Sequence, residues 1–317
     1  MNEHVVSVVA PCYNGEAYIS RFFDSILRQT YPDIELVLVN DGSTDATEEI
    51  VRSYADRFRG RGISFVYKKQ ENAGQAAALN NGLKSCSGEY ILWMDADDAL
   101  SSRYIQACVL YFDQNIDCKY VYCSSEWIQE SDGGATVNRT GKMESANSFF
   151  EDILYVRNVF FPGYMVRASA LDQVIPGRNI YTGKGGQNAQ MLLPLAWYYG
   201  RPDYVEDAIY DYYIRKNSHS HSISTSTKII EQLKNYEAIL TETIHRIPDE
   251  DAQHYIPQIQ KHYAELRFGN AVDTKNRDLI RKYYHELITV EKFDWKRFAL
   301  YIKYTNPLIR TLLHIEG

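Results

Sequence analysis

The chain has 317 residues, 45% hydrophobic and 24% charged, a balance that permits a buried core and one large domain with an extension. Its formal net charge of −7 argues against nonspecific nucleic-acid binding, and no uncharged apolar stretch approaches the roughly 18 residues that a membrane span needs. Five scattered cysteines without a CxxC pair argue against zinc and read as reduced thiols of a cytoplasmic protein, with no secretory leader before the first strand.

Val5 to Ala10 is a continuous apolar run and predicts a buried strand. The polar turn Tyr13-Asn14-Gly15-Glu16 leads into a helix from about Ala17 to Gln29, with Ile19, Phe22, Phe23, Ile26 and Leu27 on one face. Ile34 to Val39 is the second strand. Asp45 and Glu48 have capping-box spacing before a helix carrying Ile50, Val51, Tyr54 and Phe58. Ile63 to Tyr67 is a third strand, Asn72-Ala73-Gly74 a loop, and Gln75 to Lys84 a helix of small residues. A strand over Tyr90 to Met94 ends in Asp95-Ala96-Asp97-Asp98. Ser102 to Phe112 reads as a helix and Tyr120 to Ser124 as a strand. Strand and helix alternating at this pitch predict an α/β fold, a mostly parallel sheet with helices on both faces.

Beyond residue 125 the pattern loosens. Ser131 to Gly134 is a turn, Phe149 to Val156 a helix, Gly183 to Gly186 a loop before an apolar helix over Ala189 to Tyr199, and Ile209 to Ile214 a strand. Ser218 to Thr227 is a polar linker, so the domains are drawn at 1–220 and 221–317. The first divides into a nucleotide half of about 1–125 and an acceptor half of about 126–220. From Lys228 onward the chain is helical. Its last segment carries Phe298, Tyr301, Ile302, Leu308, Ile309, Leu312 and Leu313 at roughly helical spacing, interspersed with Lys292, Lys296, Arg297, Lys303 and Arg310. That pattern suits packing on its own domain or on a second subunit of a homo-oligomer; the alternative is peripheral contact with the inner face of a membrane.

Three carboxylates at the mouth of a buried strand are costly unless a positive charge sits there. A divalent cation carrying a diphosphate answers that need, because hard cations take carboxylate and phosphate oxygens together. Asp97 is the first choice as metal ligand. Asp95 is placed to reach a ribose hydroxyl or a metal-bound water, and Asp98 to do either or to cap a helix. The carboxylate of Asp41, at the end of an earlier strand, can accept a base N–H, and Tyr13 can stack on the base. In open α/β sheets ligands lie beyond the carboxyl ends of the strands, where these turns fall.

Val6 through Asn14, Asn40 through Asp45, Asn72-Ala73-Gly74 with Asn80-Asn81-Gly82, and Gly88 through Asp98 stand in the order and spacing of family 2 glycosyltransferases. The chain resembles that family over roughly residues 5 to 220. The resemblance implies the GT-A fold, with the helical extension following it. It also implies a nucleotide-sugar donor, UDP-linked above others, Mn²⁺ or Mg²⁺ as cofactor, and inverting transfer to a glycan or lipid-linked acceptor such as a bacterial surface polysaccharide. It gives a nucleotide-binding set of Pro11, Tyr13, Asn14, Asp41, Asn72, Gln75, Asp95 and Ala96, and a metal set of Asp97 and Asp95. His219 or His221 from the late loop would join the metal, and Arg215 would clamp phosphate.

Two departures stand out. Leu79 replaces the Arg that many relatives carry before Asn80. Gln187-Asn188 replaces the Glu-Asp pair whose Asp acts as general base, and an amide takes no proton at neutral pH. Three readings stay open: a base elsewhere (Glu126, Asp172, Asp207 or a histidine), acceptor orientation by Gln187 and Asn188 with proton loss through water, or a weak or inactive sugar-nucleotide-binding relative. Nucleotidyl transfer is the rival chemistry, disfavoured because Ala10 to Gly15 lacks a basic, glycine-rich phosphate loop.

Overall fold

The computed structural model describes residues 2–131, 134–157, 159–160, 162–183, 185–214 and 226–313. The chain forms two compact units, Met1–Ser222 and Ile223–Gly317. The first runs β1 (Asn2–Cys12), α1 (Ile19–Leu27), β2 (Ile34–Asp41), α2 (Thr47–Arg61), β3 (Ser64–Gln70), α3 (Gln75–Leu83), β4 (Gly88–Trp93), β5 (Ala99–Leu100) and α4 (Tyr104–Gln114). It continues with β6 (Tyr120–Ser131), β7 (Gly134–Thr140), α5 (Phe149–Leu154), β8 (Tyr164–Arg167), α6 (Ala168–Val174), α7 (Gln187–Tyr199) and β9 (Asp203–Tyr213).

One sheet in the order β3-β2-β1-β4-β8-β6-β9-β5 organises this unit, with β7 hairpinned on β6. The half from β3 to β4 is parallel throughout, as the βαβ pitch of the sequence predicts. Beyond it β8 runs antiparallel to both β4 and β6, while β9 lies parallel to β6. Every residue of β2 is buried, which is why Leu36 to Val39 is a continuous apolar run rather than an alternation. Val6, Val8 and Ala10 of β1 pack with Phe22, Phe23 and Ile26 of α1, Phe58 of α2 and Phe112 of α4. Each of these valine, isoleucine and phenylalanine side chains contributes about 1.5–3 kcal/mol by leaving water. On the other face α3 approaches so closely that a Cβ at Gly82 would lie 2.5 Å from Val9.

Sequence and structure part at several places. The capping box expected of Asp45 and Glu48 does not form: α2 has Ala46 at its N-cap with no side-chain cap bond. Asp45 instead accepts the Glu16 and Thr47 amides, and Glu48 pairs with Arg52 and Lys69. Tertiary ties between the two loops outcompete the local motif. A capping box does close α5, from Ser148 and Glu151. Strands β5 and β7 have no counterpart in the sequence reading, because β5 has two residues and β7 is an exposed strand without an apolar face.

The second unit comprises α8 (Ser226–His245), α9 (Glu250–Gln253), α10 (Ile256–Asp273), α11 (Arg277–Val290), α12 (Trp295–Thr305) and α13 (Pro307–Leu312). Ala264, Phe268 and Ala271 of α10 meet Ile280, Tyr284 and Leu287 of α11 in its core, with Ile230 of α8. Arg267, 3% exposed, is paired on one side by Glu237 and on the other by Glu286 at 2.6 Å, which ties α8, α10 and α11 together. Asn276 and Asp294 cap α11 and α12 by accepting amides of their first turns.

Candidate functional site

The carboxyl ends of β1, β2 and β4 lie side by side because β1 pairs with both others in parallel. That register brings Pro11 beside Val39 and Cys12 beside Asn40, so the loops after β1 and β2 meet. Asn14 fastens them: its amide donates to Ser43 Oγ and its Oδ1 accepts the Thr44 amide, both at 2.9 Å. Asn14 is therefore a loop brace. Tyr13 beside it keeps half of its surface exposed at this edge.

Asp41 is 3% exposed. Its Oδ1 accepts Gln70 Nε2 at 2.8 Å and the Ala73 amide at 2.9 Å, and its Oδ2 accepts the Gly74 amide at 2.9 Å. A carboxylate offers about four acceptor positions, so about one is left for a ligand N–H. Asn72 donates its Nδ2 to the Asp41 carbonyl at 3.0 Å. Gly42, at φ 74°, permits this contact, since a Cβ there would sit 2.7 Å from the Asn72 nitrogen. Asn40 closes the start of this loop, its Oδ1 accepting the Ser43 amide at 2.8 Å.

The acidic turn follows β4. One carboxylate oxygen from each of Asp95, Asp97 and Asp98 can be chosen so that all lie within 4.8 Å of one another. Asp95 accepts Gln75 Nε2 at 2.6 Å, which links the turn to the first residue of α3. Asp98 is 1% exposed and receives the Tyr210 hydroxyl at 2.7 Å and the Tyr213 amide at 3.0 Å. Burial, and after it the charges of Asp97 and Asp95, push the Asp98 carboxyl well above the usual carboxylate range, against the opposing pull of these two donors. Arg21 of α1 backs the turn. Its Nη2 donates to the Asp97 carbonyl at 2.8 Å, and its guanidinium lies 3.3 Å from the centroid of the Tyr213 ring. Three acids crowded at a strand end, two of them partly open, form the oxygen-only donor set that suits a hard divalent cation.

The other predicted residues separate into two groups. Asn188 comes to this edge: its Oδ1 accepts Trp93 Nε1 at 2.9 Å, and Trp93 ends the strand that leads into Asp95. Gln187 precedes it as the first residue of α7. Glu126 lies on β6 one strand from the acidic turn, in register with Arg139 of β7 and with Asp211 of β9, which itself pairs with Ala99 just after Asp98. Asp207 is exposed on a bulge of β9 where the register with β6 breaks. Asp172 takes a two-pronged bond from Arg178, at 2.6 and 3.0 Å. His219, His221 and Arg215 lie outside the described residues.

Three residues near this edge escaped the sequence reading, and a fourth entered it without a role. Tyr210, Tyr213 and Arg21 brace the acidic turn, and no local pattern marks them because their partners are 76 to 115 residues away. Asn80, noticed only as part of a motif, forms a reciprocal pair with the Ile180 backbone at 2.8 and 2.9 Å. Together with Gln190 Nε2 on the Tyr181 carbonyl, it pins the segment that leads into α7. Leu79 beside it is buried, so α3 brings no cation at that position.

The family model described as "Glycosyl transferase family 2" matches residues 7–182. The minor teichoic acid biosynthesis protein GgaB of Bacillus subtilis is 28% identical over 254 residues, 73% of this chain and 27% of its own length. The chain spans only 14% to 38% of the lengths of the curated relatives it matches first. Among solved structures, S. aureus TarS residues 1–349 in complex with UDP superposes with a TM-score of 0.58 at 16% identity, covering 95% of this chain and 91% of that one. The mannosyltransferase PcManGT from Pyrobaculum calidifontis, in complex with GDP-Man and Mn²⁺, gives 0.52 at 18% identity, covering 98% and 88%. These likenesses establish the GT-A-type α/β fold with helices after it.

Proposed function

This chain belongs to glycosyl transferase family 2, and on that premise we propose that it moves a sugar from a nucleoside diphosphate, UDP before other carriers, to a glycan or lipid-linked hydroxyl. The observation that carries the reading is the convergence at one sheet edge of the acidic turn, the Asp41 loop and Asn188. Asp97 and Asp95 would hold Mn²⁺ or Mg²⁺. When bound, the cation neutralises the diphosphate as charge develops on it.

The remaining roles fall to side chains. Asp41 uses its last acceptor position for a base N–H, and Tyr13 covers the base. Asn72 and Gln75 fix the loop and the turn on either side of the nucleotide. Asn188, locked by Trp93, is left with its Nδ2 hydrogens to orient the acceptor hydroxyl. The proton then leaves through water beside Gln187 and Asn188, because neither amide accepts it. The five cysteines are free thiols, which suits a reducing cytoplasmic setting. Among the described residues no helix is long and apolar enough to cross a membrane.

A second reading, a sugar-nucleotide-binding module without turnover, is favoured by the amide at position 188. One experiment separates the two. UDP-, GDP- and dTDP-sugars are first screened by thermal shift with Mn²⁺ and with EDTA, then UDP release is followed with and without glycan acceptors. The transferase reading expects a UDP-sugar shift that EDTA removes and release that an acceptor accelerates. A shift without any acceptor effect leaves the binding module. No shift with any nucleotide contradicts both.

A further inference from the structure

The second unit turns a cationic, apolar face outward. On α12 the exposed residues are Trp295, Lys296, Ala299, Leu300 and Lys303. At 100° per residue these fall within one arc of about 140°, while Phe298 and Tyr301 point into the core on the opposite side. The solvent face of an ordinary surface helix mixes charges of both signs. This one holds three apolar residues, two lysines and no acid. Just before it, Lys292 and Phe293 are exposed as well, and the Phe293 ring meets Trp295 at 4.9 Å. Trp295 is 75% exposed and Phe293 55%.

The neighbouring acids are turned inward. Glu291 pairs with Lys261 and Arg297, Glu265 with Arg297, and Glu286 with Arg267, while Asp294 caps α12. Among the described residues Lys292, Lys296 and Lys303 form no ion pair with an acid. The outward field of the patch is therefore positive and its rings have no cover within the unit.

We infer that this face docks on the surface of an anionic lipid bilayer. Aromatic rings flanked by lysines settle at the headgroup level: the ring enters the acyl boundary while the ammonium groups stay among the phosphates. A second protein copy fits less well, since lysine is depleted from the centre of protein interfaces and here it alternates with the apolar residues. The inference does not depend on the transferase reading. It would bring the enzyme to a lipid-linked acceptor if that reading holds.

The test uses the full chain and vesicles of phosphatidylcholine, with or without phosphatidylglycerol. Co-sedimentation is expected only with the anionic vesicles and is expected to weaken with salt. Tryptophan emission should shift to the blue on binding, and Trp295→Ser should abolish that shift. Replacing Lys292, Lys296 and Lys303 together with Gln leaves the packing intact. It should lower the partition coefficient roughly a hundredfold, at about fivefold per lysine near an anionic surface. Absence of binding, equal binding to both vesicle types, or unchanged binding by the triple variant would overturn the inference. So would a dimer in sedimentation velocity that Trp295→Ser dissociates, which would make the patch a contact between copies. No sugar nucleotide enters these measurements, so their failure and that of the transferase reading are told apart.

Discussion

At the scale of single residues the acidic turn divides its labour. Asp95 and Asp97 keep partial access to solvent, while Asp98 is sealed and held by two donors from β9. Asp98 thus sets the turn, and its neighbours present their oxygens. Tyr210→Phe removes the hydroxyl and leaves a buried acceptor short of one bond, a loss of about 1–3 kcal/mol. For a unit of this size the melting temperature should fall by roughly 5 °C in a thermal scan; an unchanged value would show that the bond contributes nothing. Asn188 offers the opposite experiment. Asn188→Asp keeps the acceptor oxygen that Trp93 requires and adds a base. If this position faces the acceptor, turnover should rise at least tenfold, against the 10²–10⁴-fold that general bases contribute. A slower or unchanged enzyme would place the acceptor elsewhere.

At the scale of elements, β9 does the most to shape the site. It carries Tyr210 and Tyr213 to the acidic turn, and between them Asp211 lies in register with Glu126. Burial, then the Glu126 charge, raises the Asp211 carboxyl to about 6, with Arg28 and Arg21 opposing. A carboxyl raised in the folded state stabilises the fold while it stays protonated. That contribution is complete below pH 4 and is lost as pH rises through about 6. Asp211→Asn should therefore be more stable than wild type at pH 7–8 by about 1 kcal/mol once solvent screening is allowed for, and should flatten the stability profile between pH 4 and 6. Denaturant titrations at pH 4.5 and 7.5 check the sign. On the other side of the sheet, Asn80 clasps the Ile180 backbone with both ends of its side-chain amide, Nδ2 donating to the carbonyl and Oδ1 accepting the N–H. Asn80→Ala should lower stability by about 2 kcal/mol through two lost buried bonds and raise the acceptor KM more than the donor KM, because the clasp sits beside α7. Equal effects on both substrates would deny it that positioning role.

At the scale of the whole molecule, the sequence told most where physics is local. The continuous apolar strands, the amphipathic α1 and the acidic strand ends are patterns within a few residues of one another, and they led to the parallel half-sheet and to the edge where the acidic turn lies. What stayed hidden is long-range. Arg21 behind Asp97, Tyr210 and Tyr213 on Asp98, and Trp93 on Asn188 join residues whose proximity only the closed sheet creates. The capping-box spacing at Asp45 misled because Glu16 and the Asp45 segment tie the two loops to each other in place of a helix cap. The most direct measurement is a crystal of the full chain soaked in a UDP-sugar and Mn²⁺, with the anomalous signal used to find the cation. The account predicts manganese about 2.1 Å from a carboxylate oxygen of Asp97, touching the diphosphate, and no such peak in Asp97→Ala. Manganese and nucleotide bound together away from the end of β4 would contradict it.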